Sequence, residues 1–246
     1  MYRFFVEKEQ IVGEEVQIRG TDVNHIKHVL RMKVGEPIRI SDKKEMDYLC
    51  EIVALSEDEV RAKIVEAKVG ETELLAELIL FQGLPKSDKL EWIIQKAVEL
   101  GVAKVFPVAM KHSVVKIEPK KETAKQKRWN SIAESAAKQS KRLIVPQVGE
   151  VLSYAACVEQ MKELDLVLLP YECAEGMEGT KQALAKLQKG SRVGIVIGPE
   201  GGFAEEEVAA AKEAGAQIVS LGKRILRTET AGLAMLSILM YHLETM

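Results

Sequence analysis

Cysteine and histidine are scarce in this chain, and their scarcity excludes two kinds of scaffold at the outset. Three cysteines, Cys50, Cys157 and Cys173, lie far apart with no C-x-x-C pair, and the four histidines stand at no ligand spacing. Neither a disulfide framework nor a metal site is expected from that pattern, so the thiols read as reduced core residues. Long apolar runs are missing too: the longest, Ala231 to Tyr241, is interrupted by Gly232 and Ser237 and falls short of the ~20 residues that span a bilayer. It reads as a buried helix. Charges at Arg3, Glu7, Lys8 and Glu9 leave no apolar signal segment at the start, so a cytoplasmic, membrane-free protein is expected. Aromatic residues are few as well, at 5%.

What is present is an ordinary globular composition, 47% apolar and 29% charged over 246 residues. That length suits one full domain plus a small one. The net charge of −2 conceals an uneven distribution. Residues 111–142 carry eight lysines and two arginines against three glutamates, a local +7, whereas residues 143–246 carry nine basic against fourteen acidic side chains, a local −5. A basic block in an acidic chain fits either a polyanion-binding face or a solvated surface.

The first seventy residues alternate short apolar runs with charged or glycine turns, as a small β-rich unit does. One helix interrupts them, opened by Thr21-Asp22 and stopped by Gly35, with Ile26, Val29 and Leu30 as its apolar stripe. His25, His28, Arg31 and Lys33 fall on its polar side, and with Arg3 they form either a second basic patch or a solvated face. A charged stretch at Lys68 to Glu73 divides residues 1–70 from residues 74–246. Beyond it, strand-length apolar runs alternate with helical patterns of about ten residues, which implies a mostly parallel α/β sheet with helices on both faces. Ligands of such sheets sit outside the carboxyl ends of the strands.

Three strand ends carry candidate chemistry: "LLPYE" at 168–172, "IGPEGGF" at 197–203 and "LGKRILRTETA" at 221–231. The glycine loop is no phosphate cradle, because no Gly-Lys-Ser/Thr follows, the G-x-G-x-x-G spacing is absent and Glu200 brings a carboxylate where an anion would sit. It is either a tight strand-to-helix turn or one wall of a phosphate-free pocket. In "LGKRILRTETA", Ile225 and Leu226 beside free backbone groups suit an adenine-sized ring, with Thr228 as candidate N-cap and Glu229 in the first helical turn.

These two stretches, with "KLEWIIQKAVELGV", "RWNSIAESAAKQSKR" and "HIKHVLRMKVGE" in the same order, resemble the RsmE-type family of 16S ribosomal RNA uridine-N3 methyltransferases in the SPOUT superfamily. The likeness covers nearly the whole chain. It implies a PUA-like β-barrel over residues 1–70, a SPOUT domain with a C-terminal trefoil knot over residues 74–246, a homodimer, S-adenosylmethionine as methyl donor, and 16S ribosomal RNA or the small subunit as substrate. Carried onto this sequence, it gives a cofactor pocket of Leu169, Pro170, Ile197, Gly198, Gly201, Gly202, Leu221, Gly222, Ile225, Leu226 and Arg227. Arg227, Glu229 and Glu200 are the catalytic candidates, with Glu229 and Glu200 as rival proton acceptors. Arg3, His28, Arg31, Lys33, Lys86, Lys89, His112, Arg128, Lys138, Gln139 and Arg142 are the candidate RNA contacts.

Two departures stand out. "ISDKKEMDYLCEI" lacks the glycine that commonly marks the family's hairpin turn, and His112-Ser113 replaces the family's frequent Arg-Ser, so a phosphate contact there would weaken at alkaline pH. The last helix is apolar almost all round, which a subunit interface or complete burial would explain. A non-catalytic RNA-binding or assembly factor and a ribose 2'-O methyltransferase are the competing functions.

Overall fold

The computed structural model describes every residue except Glu175, and of Pro119 the backbone alone. The chain divides into two compact units, residues 1–73 with 137–145, and residues 74–136 with 146–246.

In the first unit, β1 (Arg3–Phe5), β2 (Ile11–Val12), β3 (Glu15–Arg19), β4 (Pro37–Ser41), β5 (Met46–Leu55) and β6 (Glu59–Val69) form one curled sheet in the order β1-β4-β5-β6-β3-β2. Only the β1/β4 pair is parallel; β1 and β2 remain its edges. Alternate residues of these strands, among them Phe4, Val16, Ile18, Ile38, Ile40, Ile52, Val60 and Ala62, face a single core, as the period of two requires. The helix expected after Thr21 is shorter than its pattern: α1 (Thr21–Asn24) passes into one π-turn at His25–Val29. Ile26 is buried there, but Val29 is exposed because the widened turn rotates it off the apolar stripe.

Residues 137–145 belong to this unit through side chains. Ser41 Oγ donates to the Leu143 carbonyl at 2.6 Å, Glu73 accepts from the Leu143 N–H at 2.7 Å, and the Leu143 side chain fills the space beside Gly70. The turn missing its glycine closes by other means: Asp42 accepts three successive backbone N–H groups, Lys44, Glu45 and Met46, and Lys43 adopts φ 61°.

The second unit holds β7 (Glu77–Gly83), β8 (Lys104–Ala109), β9 (Gln147–Val148), β10 (Leu152–Ser153), β11 (Leu166–Pro170), β12 (Arg192–Ile197) and β13 (Gln217–Val219). All their pairings are parallel, in the order β10-β8-β7-β12-β11-β13 with β9 beside β8. Its helices are α2 (Lys89–Glu99), most of α3 (Pro119–Gln139), α4 (Tyr154–Met161), α5 (Glu178–Leu184), α6 (Glu205–Glu213) and α7 (Thr228–Glu244). One sheet face, with Ile79, Phe81, Val167, Leu169 and Val196, packs against Cys157 and Met161 of α4 and Ala211 of α6. The other supports α7, which lies on β7 and β12 and against α2. Both faces being covered explains why these strands read as continuous apolar runs.

Candidate active site

The carboxyl ends of β11 and β12 and the loop after β13 open at one edge of the sheet, as expected. There they enclose a cavity of about 440 Å³, a volume in the range of small-molecule sites. Pro170, Ile197, Gly198, Gly201, Gly202, Leu221, Gly222, Ile225, Leu226 and Arg227 all line it. Leu169 does not: it is fully buried on the α4 face of the sheet, so it supports the wall from behind.

Two glycines of the loop, Gly201 and Gly202, have different causes. Gly202 takes φ 69°, a left-handed conformation that favours glycine, and its N–H closes the turn on the Pro199 carbonyl at 2.9 Å. Gly201 has no positive φ, but a Cβ there would stand 2.8 Å from the Cβ of His112. His112 Nδ1 lies 3.1 Å from the Gly201 carbonyl, which can only accept, so the proton of that imidazole sits on Nδ1. The segment carrying His112 is itself pinned: Lys111 N–H donates to Glu207 at 2.8 Å and the Lys111 ammonium pairs with Glu206. His112, expected to contact RNA, is exposed and at the same time supports the glycine loop through its Nδ1.

Thr228 corrects a second expectation. Arg227 stands at the N-cap, Thr228 is the first helical residue, and its hydroxyl donates instead to the Gly198 carbonyl at 2.6 Å. The buried amide of Gln82, at the end of β7, donates to the same hydroxyl at 2.8 Å and to the Gly83 carbonyl at 3.0 Å. Gln82, Thr228 and Gly198 therefore link the central strand, the first turn of α7 and the glycine loop in one hydrogen-bonded relay. Gln82 left no signal in the sequence beyond being polar in an apolar strand.

Both candidate proton acceptors meet one cation. Lys89 Nζ lies 3.0 Å from Glu200 Oε1 and 3.3 Å from Glu229 Oε2, and Lys86 N–H donates to Glu200 at 3.1 Å. Burial works to raise the Glu200 carboxyl, but the hydrogen bonds from Lys89 and the Lys86 backbone outweigh it and hold the group below its usual range. Lys89 is held above its own range, first by its bond to Glu200 and then by that to Glu229. Lys89 and Glu200 line the cavity; Glu229 stands behind them, its side chain 17% exposed. Arg224, Tyr171 and Phe203, which the sequence reading passed over, line it too, and the two rings meet edge to face at 6.4 Å.

The candidate RNA contacts separate by burial. His28, Arg31, Lys33, Lys86 and Gln139 are exposed, and Arg31 stands at φ 53°. Arg128 is exposed but ion-paired with Glu91 at 2.7 Å. Arg3 and Arg142 do not meet the expectation of a surface contact: they are 8% and 3% exposed, paired with Asp47 and Glu73, and Arg3 also donates to the Arg142 carbonyl. Desolvated guanidinium groups need such partners, which makes these two internal ties of the first unit. Lys138 joins them, at 2.8 Å from Asp22 and 5.9 Å above the Phe4 ring. Among the described residues no group of histidine, cysteine or carboxylate side chains could hold a metal ion.

A parallel α/β unit with such a strand-end cavity, carried in one chain with a small β-sheet unit, defines a class of RNA methyltransferases: residues 72–240 match the RNA methyltransferase domain family, and residues 18–65 the RNA methyltransferase PUA domain. Within that class, the chain belongs to the ribosomal RNA small subunit methyltransferase E family. It is 39% identical to the member from Bacillus subtilis over 99% of this chain and 98% of the relative, and 34% identical to that from Mesomycoplasma hyopneumoniae over 96% and 98%. A crystal structure of the Neisseria gonorrhoeae enzyme bound to S-adenosyl methionine superposes with a TM-score of 0.82 at 30% identity, covering 98% of this chain and 97% of that one.

Proposed function

We propose that this chain transfers the methyl group of S-adenosylmethionine to N3 of a uridine in 16S ribosomal RNA. The observation that carries the reading is the cavity: glycine backbone and apolar side chains for a nucleoside, no cradle for phosphate, and the carboxylate of Glu200 in its wall. A cationic sulfonium without phosphate suits that lining. When bound, S-adenosylmethionine supplies the electrophilic methyl group. Pro170, Ile197, Gly198, Gly201, Gly202, Leu221, Gly222, Ile225 and Leu226 would hold the cofactor, with Leu169 behind them.

The chain's own residues then have two tasks. N3 lies on the Watson–Crick edge and carries a proton, so the base leaves its pair and that proton moves to an acceptor. Glu229 receives it at its carboxylate, with Glu200 as the rival, and Arg227 stabilises the charge that spreads onto the flanking carbonyl oxygens. Of the basic side chains, the exposed His28, Arg31, Lys33, Lys86 and Arg128 and the polar Gln139 position the RNA backbone. The reading brings with it a C-terminal trefoil knot, a cytoplasmic location and a homodimer. In support of the last, Leu233, Ala234, Ile238 and Tyr241 leave one face of α7 partly open, Tyr241 being 71% exposed.

Primer extension on ribosomal RNA from cells with and without the protein tests the reaction. A protein-dependent stop at one uridine of 16S RNA supports N3 transfer, and a weak pause only at low nucleotide concentration points to ribose 2'-O transfer. No change, with no calorimetric binding of S-adenosylmethionine, would make the protein a non-catalytic RNA-binding factor.

A further inference from the structure

The glycine loop brings Glu200 to the cavity wall and the first turn of α7 places Glu229 just behind it, and both carboxylates end on the same ammonium. Glu200 comes from the glycine loop and Glu229 from α7, yet Lys89 Nζ reaches one at 3.0 Å and the other at 3.3 Å from the first residue of α2. None of the three is freely solvated: their side chains are 31%, 25% and 17% exposed for Lys89, Glu200 and Glu229. Two carboxylates drawn to one ammonium repel each other unless that cation stands between them, so Lys89 holds both in position.

Resting on the reading of this cavity as the methyl-transfer site, we propose that Lys89 is a positioning residue that clamps Glu200 and Glu229 into one ion triad and thereby holds Glu229 in place as the proton acceptor. This differs from a phosphate contact, the role the family resemblance implies for it, because an ammonium held by two carboxylates has little left to offer an anion. Lys86 assists from the same segment: its backbone N–H donates to both oxygens of Glu200, at 3.1 and 3.3 Å. Other charges facing the triad are Arg224 and Arg227 of the cavity wall, the Lys86 side chain, and Asp88 and Glu91 at the start of α2; of these, Glu91 is occupied by Arg128. Removing Lys89 takes away the ammonium that bridges the two carboxylates and, with it, one of the hydrogen bonds that hold the Glu200 carboxyl below its usual range.

The test uses the full chain, saturating S-adenosylmethionine and small-subunit ribosomal RNA, with single-turnover transfer followed from pH 5 to 9. Lys89→Met is expected to lose rate about tenfold at pH 6 and to move the acid limb of its profile up by about one pH unit, with RNA affinity and its salt dependence unchanged. Lys89→Arg is expected to restore most of the rate and the limb. Calorimetric cofactor binding and the melting temperature of each variant show whether it is folded and loaded. A Lys89→Met profile that superposes on the parent's, or a loss confined to RNA affinity with a shallower salt slope, overturns the proposal. Absence of transfer by the parent protein would instead overturn the functional reading on which it rests.

Discussion

His112 sits directly against Gly201: its Nδ1 donates to the Gly201 carbonyl at 3.1 Å, and its Cβ occupies the place where a side chain at 201 would begin. The glycine is required by this neighbour and not by its own backbone angles. Gly201→Ala is expected to push the loop off the 109–113 segment, with an overpacking cost of about 1–3 kcal/mol and a fall of roughly tenfold in S-adenosylmethionine affinity. His112→Gly in the same chain should recover most of the affinity. Calorimetry on the single and double variants decides it; equal losses in both would show that the clash is not the cause.

The Gln82, Thr228 and Gly198 relay is buried, so breaking it leaves polar atoms without partners. Thr228→Val keeps the volume and removes the hydroxyl, stranding the Gly198 carbonyl and weakening Gln82, which already has one oxygen without a partner among the described residues. A destabilisation of about 1–3 kcal/mol is expected in chemical denaturation, together with weaker cofactor binding. Thr228→Ser should retain most of both, and an unchanged denaturation midpoint for the valine variant would remove the relay from the account.

Glu200 gives stability a definite dependence on pH. Its carboxyl is held below the usual range of about 4.5 in the folded protein, so its contribution is present above that value and is lost as pH falls through the lower, folded-state value. The group is partly exposed, which keeps the effect modest. Between pH 7 and pH 3.5 the melting temperature of Glu200→Gln should therefore fall less than that of the parent. A larger fall in the variant would mean the carboxylate is not stabilising.

The cysteines should sort by burial. Burial pushes the Cys50 thiol up to about 12 and raises that of Cys157, while Cys173 is exposed. Brief treatment with iodoacetamide at pH 8 should modify Cys173 alone, with the other two reacting only after denaturation. Mass spectrometry of the tryptic peptides gives the answer, and early labelling of Cys50 would contradict the packing around it.

Much of this site was legible because its parts are local. Pro170, the 197–203 loop and the 221–231 stretch each follow directly from a strand, so finding the strands located the cavity. The triad was not legible, since Lys89 stands 111 residues from Glu200 and 140 from Glu229, and only the folded sheet brings three chain segments to one point. Arg3 and Arg142 misled for the same reason. Their spacing among exposed basic residues says nothing of Asp47 and Glu73, the distant partners that allow them to be buried. Thr228 looked like a cap because threonine caps often, but a buried amide and a nearby carbonyl gave its hydroxyl better partners than its own helix.

The attachment of residues 137–145 to the first unit has an evolutionary reading. Because Leu143, Arg142 and Lys138 meet Ser41, Gly70, Glu73 and Asp22 through specific contacts, the small β-sheet unit is not an interchangeable cassette that one exchange event could replace. A graft ending at residue 73 would leave behind the nine-residue piece that completes it. Transplanting this unit whole therefore requires moving two separated stretches of chain together.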